Sequence, residues 1–262
     1  MNILQEIAKR TIERIEAQKK VLPLNELVER TCSLNTTHDF PFEKALHAED
    51  IAFICEIKRA SPSKGMIAAD FSHIDIARDY EMAGAAAISV LTEPYYFKGY
   101  DRYLREIADA VPIPLLRKDF TVDPYMIYQA KMLGASAVLL ICAILDQETL
   151  TEYLRLAHSL GLSALVETHA EAEVDMALAA GARMIGVNNR NLKTFEVDVN
   201  LSIRLRKMVP PDIIFVSESG ISTADDVDTL RKNGVEAVLV GETLMRAPDK
   251  KAALTQLRGG AL

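Results

Sequence analysis

Lysine and glutamate side chains mark the ends of several short apolar runs in this chain. Lys118 closes the run IPLLRK, Glu56 and Lys58 close IAFICEIK, and Glu167 lies near the end of SALVET. A positioned ammonium can stabilise or protonate an oxygen that gains negative charge, and a carboxylate can accept a proton. If these side chains converge in the fold, their types therefore indicate acid–base chemistry.

The alternation of side chains along a strand predicts where Lys118 points. Side chains alternate with period two, so Lys118 shares a face with Leu116, and Glu56 shares a face with Lys58. In a parallel barrel, polar residues at the carboxyl ends of strands face the place where active sites form. Taken alone, however, Lys118 is better explained as a solvated charge where a strand meets its loop.

Further polar residues end two later apolar runs. Asn188 and Arg190 mark the end of RMIGVNN, and Glu218 and Ser219 mark the end of IIFVSES. The starts of the runs carry nothing comparable. Because two lysines and three glutamates fall at the same predicted end, a functional cleft is favoured over a ring of structural ion pairs.

Two glycine-containing turns predict an anion site. Ser219-Gly220-Ile221-Ser222 follows the seventh run, and Val240-Gly241-Glu242-Thr243 follows the eighth, before a short helix that ends near Pro248. Glycine amides at a helix start hold phosphate well, and barrels commonly bind phosphate after strands seven and eight. The alternative is that both glycines only make tight turns. If phosphate binds here, Glu242 has to point away from it.

The loop after the first run, RASPSKGMIAADF (59–71), is long for a strand-to-helix connection and contains Ser61 and Lys64. A polar loop that carries glycine beside a site is a candidate lid. An ordinary flexible loop explains the same residues equally well.

Eight apolar runs alternate with helical patterns from residue 51 onward. Glycine signatures typical of helix ends precede four of them, at Gly84, Gly134, Gly181 and Gly234. Repeated strand–helix units of this length predict a single (βα)8 TIM barrel. A doubly wound open sheet is the alternative, but no GxGxxG turn follows the first run. The apolar runs are 51–58, 86–91, 113–118, 137–142, 163–168, 183–189, 213–219 and 237–242.

Residues 1–50 form a different pattern, with apolar side chains at helical spacing from Ile3 to Ile15. A second helix is predicted to start at Pro23 and a third near Phe42. Since this segment has too little apolar surface to fold alone, we expect a helical N-terminal extension packed on the barrel. The chain 1–262 is thus predicted to be one domain.

Composition limits the function classes. The 262 residues carry a formal charge of -7, which argues against a nucleic-acid-binding or acidic-membrane surface. The three cysteines, Cys32, Cys55 and Cys142, form no CxxC pair. Without a signal peptide or a long apolar span, the cytoplasm is the predicted location.

The chain resembles the indole-3-glycerol phosphate synthase family, the barrel enzymes of tryptophan biosynthesis. The matching motifs cover the predicted barrel in the family's order, and the helical N-terminal extension is also a family feature. The most specific motifs are GVNNRNLKTF and the KDF that ends the third run. The matching segments are CEIKRASPSKG (55–65), LLRKDFTVDPYMIYQAKMLGASAVLLI (115–141), LVETH (165–169), GVNNRNLKTFEVD (186–198), VSESGI (216–221) and VGETLM (240–245).

The resemblance implies ring closure of 1-(2-carboxyphenylamino)-1-deoxyribulose 5-phosphate, with loss of CO2 and water, without a cofactor or metal. By position in the motifs, Lys118 would be the general acid that protonates the ribulose carbonyl, and Glu167 the general base. Lys58 would neutralise the anthranilate carboxylate and share in proton transfer. Glu56 would support this network, and Asn188 would order the lysines.

The resemblance also implies binding roles and a small phosphorylated substrate as the partner. The substrate would contact Ser61, Phe120, Arg190, Glu218 and Ser219, and its phosphate would lie near Gly220, Gly241 and Thr243. A monomer and a homodimer are equally compatible with the sequence.

Three other functions compete with this interpretation. A phosphoribosylanthranilate isomerase-like barrel is expected to use a cysteine, but Cys55 has the opposite parity to Glu56 and Lys58 and should face the helices. A Schiff-base aldolase would use Lys118 or Lys58 as a nucleophile and would be trapped by borohydride. A barrel kept only for binding would hold the substrate without turning it over.

Overall fold

The computed structural model describes residues 3–34, 36–68, 70–191 and 194–260. Within them, eight parallel strands pair in chain order, and the last pairs with the first to close a barrel. This confirms the predicted TIM barrel and excludes the open sheet. The strands are β1 (Ala52–Ile57), β2 (Ala87–Leu91), β3 (Leu115–Lys118), β4 (Ala137–Ile141), β5 (Ser163–Thr168), β6 (Met184–Asn188), β7 (Ile214–Glu218) and β8 (Ala237–Val240).

Helices precede the barrel and then alternate with its strands. Among the described residues, three α-helices come before β1, one follows each of β1 to β7, and two follow β8. They are α1 (Ile3–Val21), α2 (Leu24–Cys32), α3 (Pro41–Leu46), α4 (His73–Met82), α5 (Asp101–Ala110), α6 (Pro124–Met132), α7 (Gln147–Ser159), α8 (Glu171–Ala180), α9 (Asn200–Arg206), α10 (Ala224–Lys232), α11 (Glu242–Arg246) and α12 (Lys250–Leu257).

Side chains along the strands alternate between two apolar layers. Ile54, Leu116 and Leu165 pack with one another in the barrel interior. Cys55 packs in the outer layer between strands and helices, as its parity predicts. Because Lys118 follows Leu116 by two residues, the register of β3 directs the lysine to the interior face at the carboxyl end of the strand.

The four glycines of the helix-ending signatures all lie in the left-handed region of the backbone, with φ of +80° at Gly84, +86° at Gly134, +86° at Gly181 and +74° at Gly234. Residues with a Cβ rarely adopt this conformation, so glycine lets the chain reverse directly into the next strand. The four glycine signatures in the sequence therefore mark real helix ends.

The N-terminal helices cover both ends of the barrel interior. Leu4 and Ile7 of α1 and Phe42 and Leu46 of α3 all belong to the interior apolar cluster. Glu43 of α3 accepts a hydrogen bond at 2.8 Å from Arg183, which directly precedes β6. α3 therefore lies beneath the amino ends of the strands, whereas α1 reaches the carboxyl ends. The second helix begins one residue later than predicted, because Pro23 is its N-cap.

A buried ion network joins α1 to the end of β3. Arg14 donates to both carboxylate oxygens of Asp119, at 3.0 and 2.9 Å, and the Thr92 hydroxyl donates to the same carboxylate at 2.6 Å. Arg117 donates to Asp101 of α5 at 2.7 Å and to the Met126 carbonyl of α6 at 2.8 Å. Arg117 and Asp119 thus face the helices on either side of Lys118, as their parity predicts.

Arg14 is essential to this network because Asp119 is wholly buried. Burial alone would raise the pKa of Asp119, but the charges of Arg14 and Arg117 lower it below its usual value. We expect Arg14→Ala to lower the free energy of unfolding by about 3 kcal/mol, since it removes a partner of a buried charge. Urea unfolding at neutral pH measures the change.

Arg10→Ala is the matched control, because Arg10 forms an exposed ion pair with Glu6 one turn away on the same helix. Exposed pairs contribute roughly 0 to 1 kcal/mol, so this variant should unfold close to the wild type. Equal stabilities of the two variants would show that the network does not hold α1 to the barrel.

Candidate active site

A cavity of about 730 Å³ opens at the carboxyl ends of the strands. Every residue to which the sequence pattern or the family resemblance gave a catalytic or binding role lines it, so residues far apart in the chain meet in one place. These are Glu56, Lys58, Ser61, Lys118, Phe120, Glu167, Asn188, Arg190, Glu218, Ser219, Gly220, Gly241 and Thr243.

The ammonium of Lys118 lies between two buried carboxylates. Its Nζ is 2.8 Å from Glu167 Oε2 and 3.0 Å from Glu218 Oε2, and its side chain is 12% exposed. Burial alone would lower the pKa of Lys118, but Glu167, Glu218 and Glu56 together raise it above the ordinary lysine value. Lys118 therefore carries its proton at neutral pH.

The two carboxylates that share Lys118 differ in their pKa. Burial would raise the pKa of Glu167, but Lys118 and His169 lower it overall. Burial raises the pKa of Glu218 to about 7, and the charges of Glu167 and Glu56 add to that effect against the opposing influence of Lys118. The site thus pairs an ionised carboxylate with one that titrates near neutral pH.

A second ion pair lies on β1. Lys58 donates to Glu56 Oε1, and both side chains face the cavity. Their common parity on one strand explains the contact, since residues two apart project from the same face. Lys58 and Lys118 are therefore each held by glutamate.

A glycine on β6 and a glycine just after β8 make room for these glutamates. A Cβ on Gly186 would lie 2.3 Å from Glu218 Oε1, and a Cβ on Gly241 would lie 2.4 Å from Glu56 Oε1. Gly241 was predicted only as part of an anion site, whereas its position shows that the acidic side chain of β1 also needs it. Gly186 was not predicted, although it belongs to the GVNNRN motif.

Asparagines at the end of β6 arrange the neighbouring loops. Asn188 donates to Glu167 Oε1 at 3.4 Å, and its Oδ1 accepts from the Arg190 backbone N–H at 3.1 Å. Arg190 in turn donates to the Phe195 carbonyl at 3.2 Å. The buried Asn189 donates to the Ser219 carbonyl at 3.0 Å and so fixes the end of β7. No local sequence pattern indicates this contact.

The predicted anion site lies at the ends of β7 and β8. Gly220 has a φ of +81°, and a Cβ there would lie 2.2 Å from Val197 Cγ1, so only glycine fits this turn. The Thr243 hydroxyl donates to the Ile221 carbonyl at 2.9 Å and thus joins the two loops. Ser219 adopts a left-handed backbone with φ of +69°.

Lys64 and Arg246 are two basic side chains of the cavity to which the sequence pattern assigned no role. Glu242 lines the cavity, but its carboxylate is held by Arg246 at 3.1 Å and by Lys64 at 3.6 Å. Lys64 and Arg246 also line the cavity and offset the negative charge there. The spacing of Glu242 and Arg246, one helical turn apart, could have indicated the first pair.

One wall of the cavity is apolar. Ile3, Leu4 and Ile7 of α1 line it, together with the rings of Phe97 and Phe120, whose centroids are 6.2 Å apart. Helical spacing indicated that α1 buries one face, but not which part of the barrel that face covers. Of this wall, only Phe120 was predicted.

The loop after β1 forms a short hairpin in which Ala60–Ser61 pairs with Gly65–Met66. The Ala60 backbone N–H donates to the Phe97 carbonyl at 3.2 Å, so the hairpin is joined to the loop after β2. Ser61 is buried and lines the cavity. That the loop acts as a lid stays a prediction.

Within the described ranges, no group of three or more His, Cys, Asp or Glu side chains is placed to hold a metal ion. Over the same residues, no helix has both the length and the apolar character needed to cross a bilayer.

Comparison with known proteins identifies the family. The family model for indole-3-glycerol phosphate synthase matches residues 4–257. The chain belongs to this family. An indole-3-glycerol phosphate synthase of Ruminiclostridium cellulolyticum is 57% identical over 259 residues, which cover 99% of this chain and all of that protein. One of Lachnoclostridium phytofermentans is 51% identical over 268 residues, covering 98% of each chain.

Solved structures support the barrel fold. A 3-hexulose-6-phosphate synthase from Salmonella typhimurium superposes with a TM-score of 0.66 at 15% identity, covering 80% of this chain and 97% of that one. A chain of the Pyrococcus furiosus tryptophan synthase complex gives a TM-score of 0.58 at 12% identity, and the match covers 80% of this chain and 98% of that one. At such identities the similarity shows the fold alone.

Membership of the indole-3-glycerol phosphate synthase family decides between the rival functions. The family consists of carboxy-lyases that act in tryptophan biosynthesis on a small phosphorylated substrate. A barrel of the phosphoribosylanthranilate isomerase type is not supported. In agreement, burial in the outer layer raises the pKa of Cys55 to about 12, which leaves it unsuited to proton transfer in the cavity.

The raised pKa of Glu218 leads to a prediction for the free protein. Since burial moves this carboxyl to about 7, one carboxyl group should take up a proton near neutral pH. Difference infrared titration should detect its protonated C=O band growing as the pH falls through 7, and Glu218→Gln should lack that band. Failure of any carboxyl to titrate between about pH 6 and 8 would contradict the prediction.

Proposed function

We propose that this chain catalyses the family reaction, in which 1-(2-carboxyphenylamino)-1-deoxyribulose 5-phosphate closes to indole-3-glycerol phosphate, with Lys118 as the general acid. The observation that carries the proposal is the buried Lys118 ammonium, held by Glu167 and Glu218 at the bottom of a cavity large enough for this substrate. Drug-sized ligands occupy pockets of about 300 to 1,000 Å³.

The cavity suits the two ends of this substrate. We assign the aromatic ring to the apolar wall formed by α1, Phe97 and Phe120. The phosphate is assigned to the turns at Gly220 and Gly241, with Lys64 and Arg246 supplying positive charge beside them. Ser219 and Thr243 complete that end. Lys58 would then neutralise the carboxylate of the anthranilate ring, and Arg190 and Ser61 would contact the chain between the two ends.

In the first step, the ring carbon that bears the carboxylate attacks the ribulose carbonyl carbon. The carbonyl π electrons move to oxygen, and Lys118 gives that oxygen a proton. An alkoxide is basic enough to take a proton from an ammonium whose pKa is raised, so the strong pairing of Lys118 is compatible with this role. Loss of CO2 then returns its bonding electrons to the ring and restores aromaticity.

The second half of the reaction removes water. Glu167 takes a proton from the carbon next to nitrogen, while the hydroxyl leaves after protonation by a lysine. The lowered pKa of Glu167 supplies the ionised form that a base requires. Glu56 holds Lys58, and Asn188 orients Glu167, so both would support this proton transfer.

Covalent catalysis by Lys118 is disfavoured by the same electrostatics. A nucleophilic lysine must lose its proton, and enzymes that use one lower its pKa by desolvation or a nearby cation. Here the surrounding carboxylates raise the pKa of Lys118. The acid role therefore fits the site better than a Schiff base.

We also propose that residues 1–262 act as one domain in the cytoplasm, as a monomer or homodimer. Cys32, Cys55 and Cys142 are all free, which suits a reducing compartment.

Lys118→Ala should reduce kcat by at least about a thousandfold, because it removes the proposed proton donor. Indole fluorescence measures turnover, and circular dichroism checks that the fold persists. Lys44→Ala is a matched control, since Lys44 lies in α3 and is mostly exposed. A Lys118→Ala protein that keeps most of its kcat would refute the assignment.

A further inference from the structure

The chain of charged groups continues outward beyond Glu167. His169 Nε2 lies 3.4 Å from Glu167 Oε1, and His169 Nδ1 lies 3.4 Å from Glu173 Oε2. Glu173 also accepts the backbone N–H of His169 at 2.6 Å. Two carboxylates therefore bracket one imidazole, and the inner carboxylate is the one that holds Lys118 at 2.8 Å.

Local structure explains why His169 lies here. β5 ends at Thr168, and His169 shares the parity of Glu167, so its ring follows that side chain at the rim of the barrel. α8 begins at Glu171, which brings Glu173 back over the strand end. A second cavity of about 490 Å³ is lined by His169 and Glu173 and shares Leu4, Asn188 and Arg190 with the catalytic cavity.

The surroundings favour the protonated form of the imidazole. Burial would lower the pKa of His169, but the bond to Glu173 and the charges of Glu167 and Glu218 raise it overall. The side chain is 16% exposed, so solvent screens these charges only in part. Besides those three glutamates, Lys118 lies across Glu167 from the ring, and four charged side chains line the second cavity with His169: Arg190, Glu196, Asp198 and Arg204.

A second cation beside Glu167 favours the ionised form that the proposed base requires. It is buried beside another carboxylate, Glu218, with which it shares the one ammonium of Lys118. Burial and a neighbouring negative charge both favour protonation of Glu167. His169 approaches the oxygen of Glu167 that Lys118 does not hold.

We propose that His169 is a positioning residue, whose imidazolium, anchored by Glu173, keeps Glu167 ionised and directed toward Lys118. The proposal rests on the assignment of Glu167 as the general base. It assigns His169 no contact with the substrate. With a neutral side chain at position 169, Glu167 would take up a proton at a higher pH than in the wild type. The protonated Glu167 could then no longer act as the base.

The test compares pH profiles of kcat and kcat/KM for the wild type and His169→Asn. One unit charge at this distance shifts a partly screened carboxylate by about one pH unit. The acidic limb of the His169→Asn profile should therefore move to higher pH by about one pH unit. The value of kcat should fall most below neutral pH, and KM should stay nearly unchanged. Glu173→Gln should move the limb in the same direction by less, because the histidine remains.

Glu171→Gln is the matched control, since Glu171 is an exposed carboxylate in the same turn of α8. Its profile should overlay that of the wild type. If His169→Asn folds poorly, Glu173→Gln carries the test. His169→Arg restores a positive charge and should return the limb toward its wild-type position.

Glu167→Gln separates the two possible failures. If Glu167→Gln is inactive but His169→Asn and Glu173→Gln keep the wild-type limb, the positioning role of His169 is wrong and the base assignment stands. If Glu167→Gln keeps wild-type turnover, the base assignment itself is wrong, and the role of His169 falls with it. A shifted limb in His169→Asn, together with loss of activity in Glu167→Gln, supports both.

Discussion

The ammonium of Lys118 between Glu167 and Glu218 is the interaction on which the site depends. Removing three ionisable groups from water is costly, and it is offset here only because each lies within about 3 Å of an opposite charge. The arrangement also gives the two carboxylates different pKa values, one lowered and one raised to about 7. A single triad thus combines a charged ammonium, an ionised carboxylate and a carboxyl group that titrates near neutral pH.

Much of the surrounding structure serves to hold this triad in place. Gly186 leaves space for the Glu218 carboxylate, where any Cβ would lie 2.3 Å from its oxygen. On the outer face of β3, Arg117 and Asp119 bind α1, α5 and α6, so Lys118 projects from a strand end that is fixed on both sides. The same network seats α1, whose Leu4 and Ile7 form part of the apolar wall. One helix therefore contributes both to stability and to the shape of the cavity.

The sequence predicted what depends on local pattern. Apolar runs and helix-ending glycines predicted the strand–helix alternation, and the period-two parity of strands placed Lys118 and Glu56 inside and Cys55 outside. What it missed depends on tertiary geometry. The ion pair of Lys64 with Glu242 and the position of Leu4 in the cavity wall depend on how elements distant in the sequence pack together. The spacing of residues within one element does not reveal such contacts. His169 belongs to the LVETH motif, but its proposed role depends on the contact with Glu173, which lies on the helix that follows.

We propose that these side chains alone, without a metal or cofactor, convert the carboxyphenylamino ribulose phosphate to the indole product. In the most direct measurement, purified protein is dialysed against a chelator and then incubated with this substrate. Indole fluorescence and CO2 release are recorded together. We expect both signals to rise at the same rate, with one CO2 per indole formed. Substrate binding with neither signal, or turnover that requires an added metal ion, would contradict the claim.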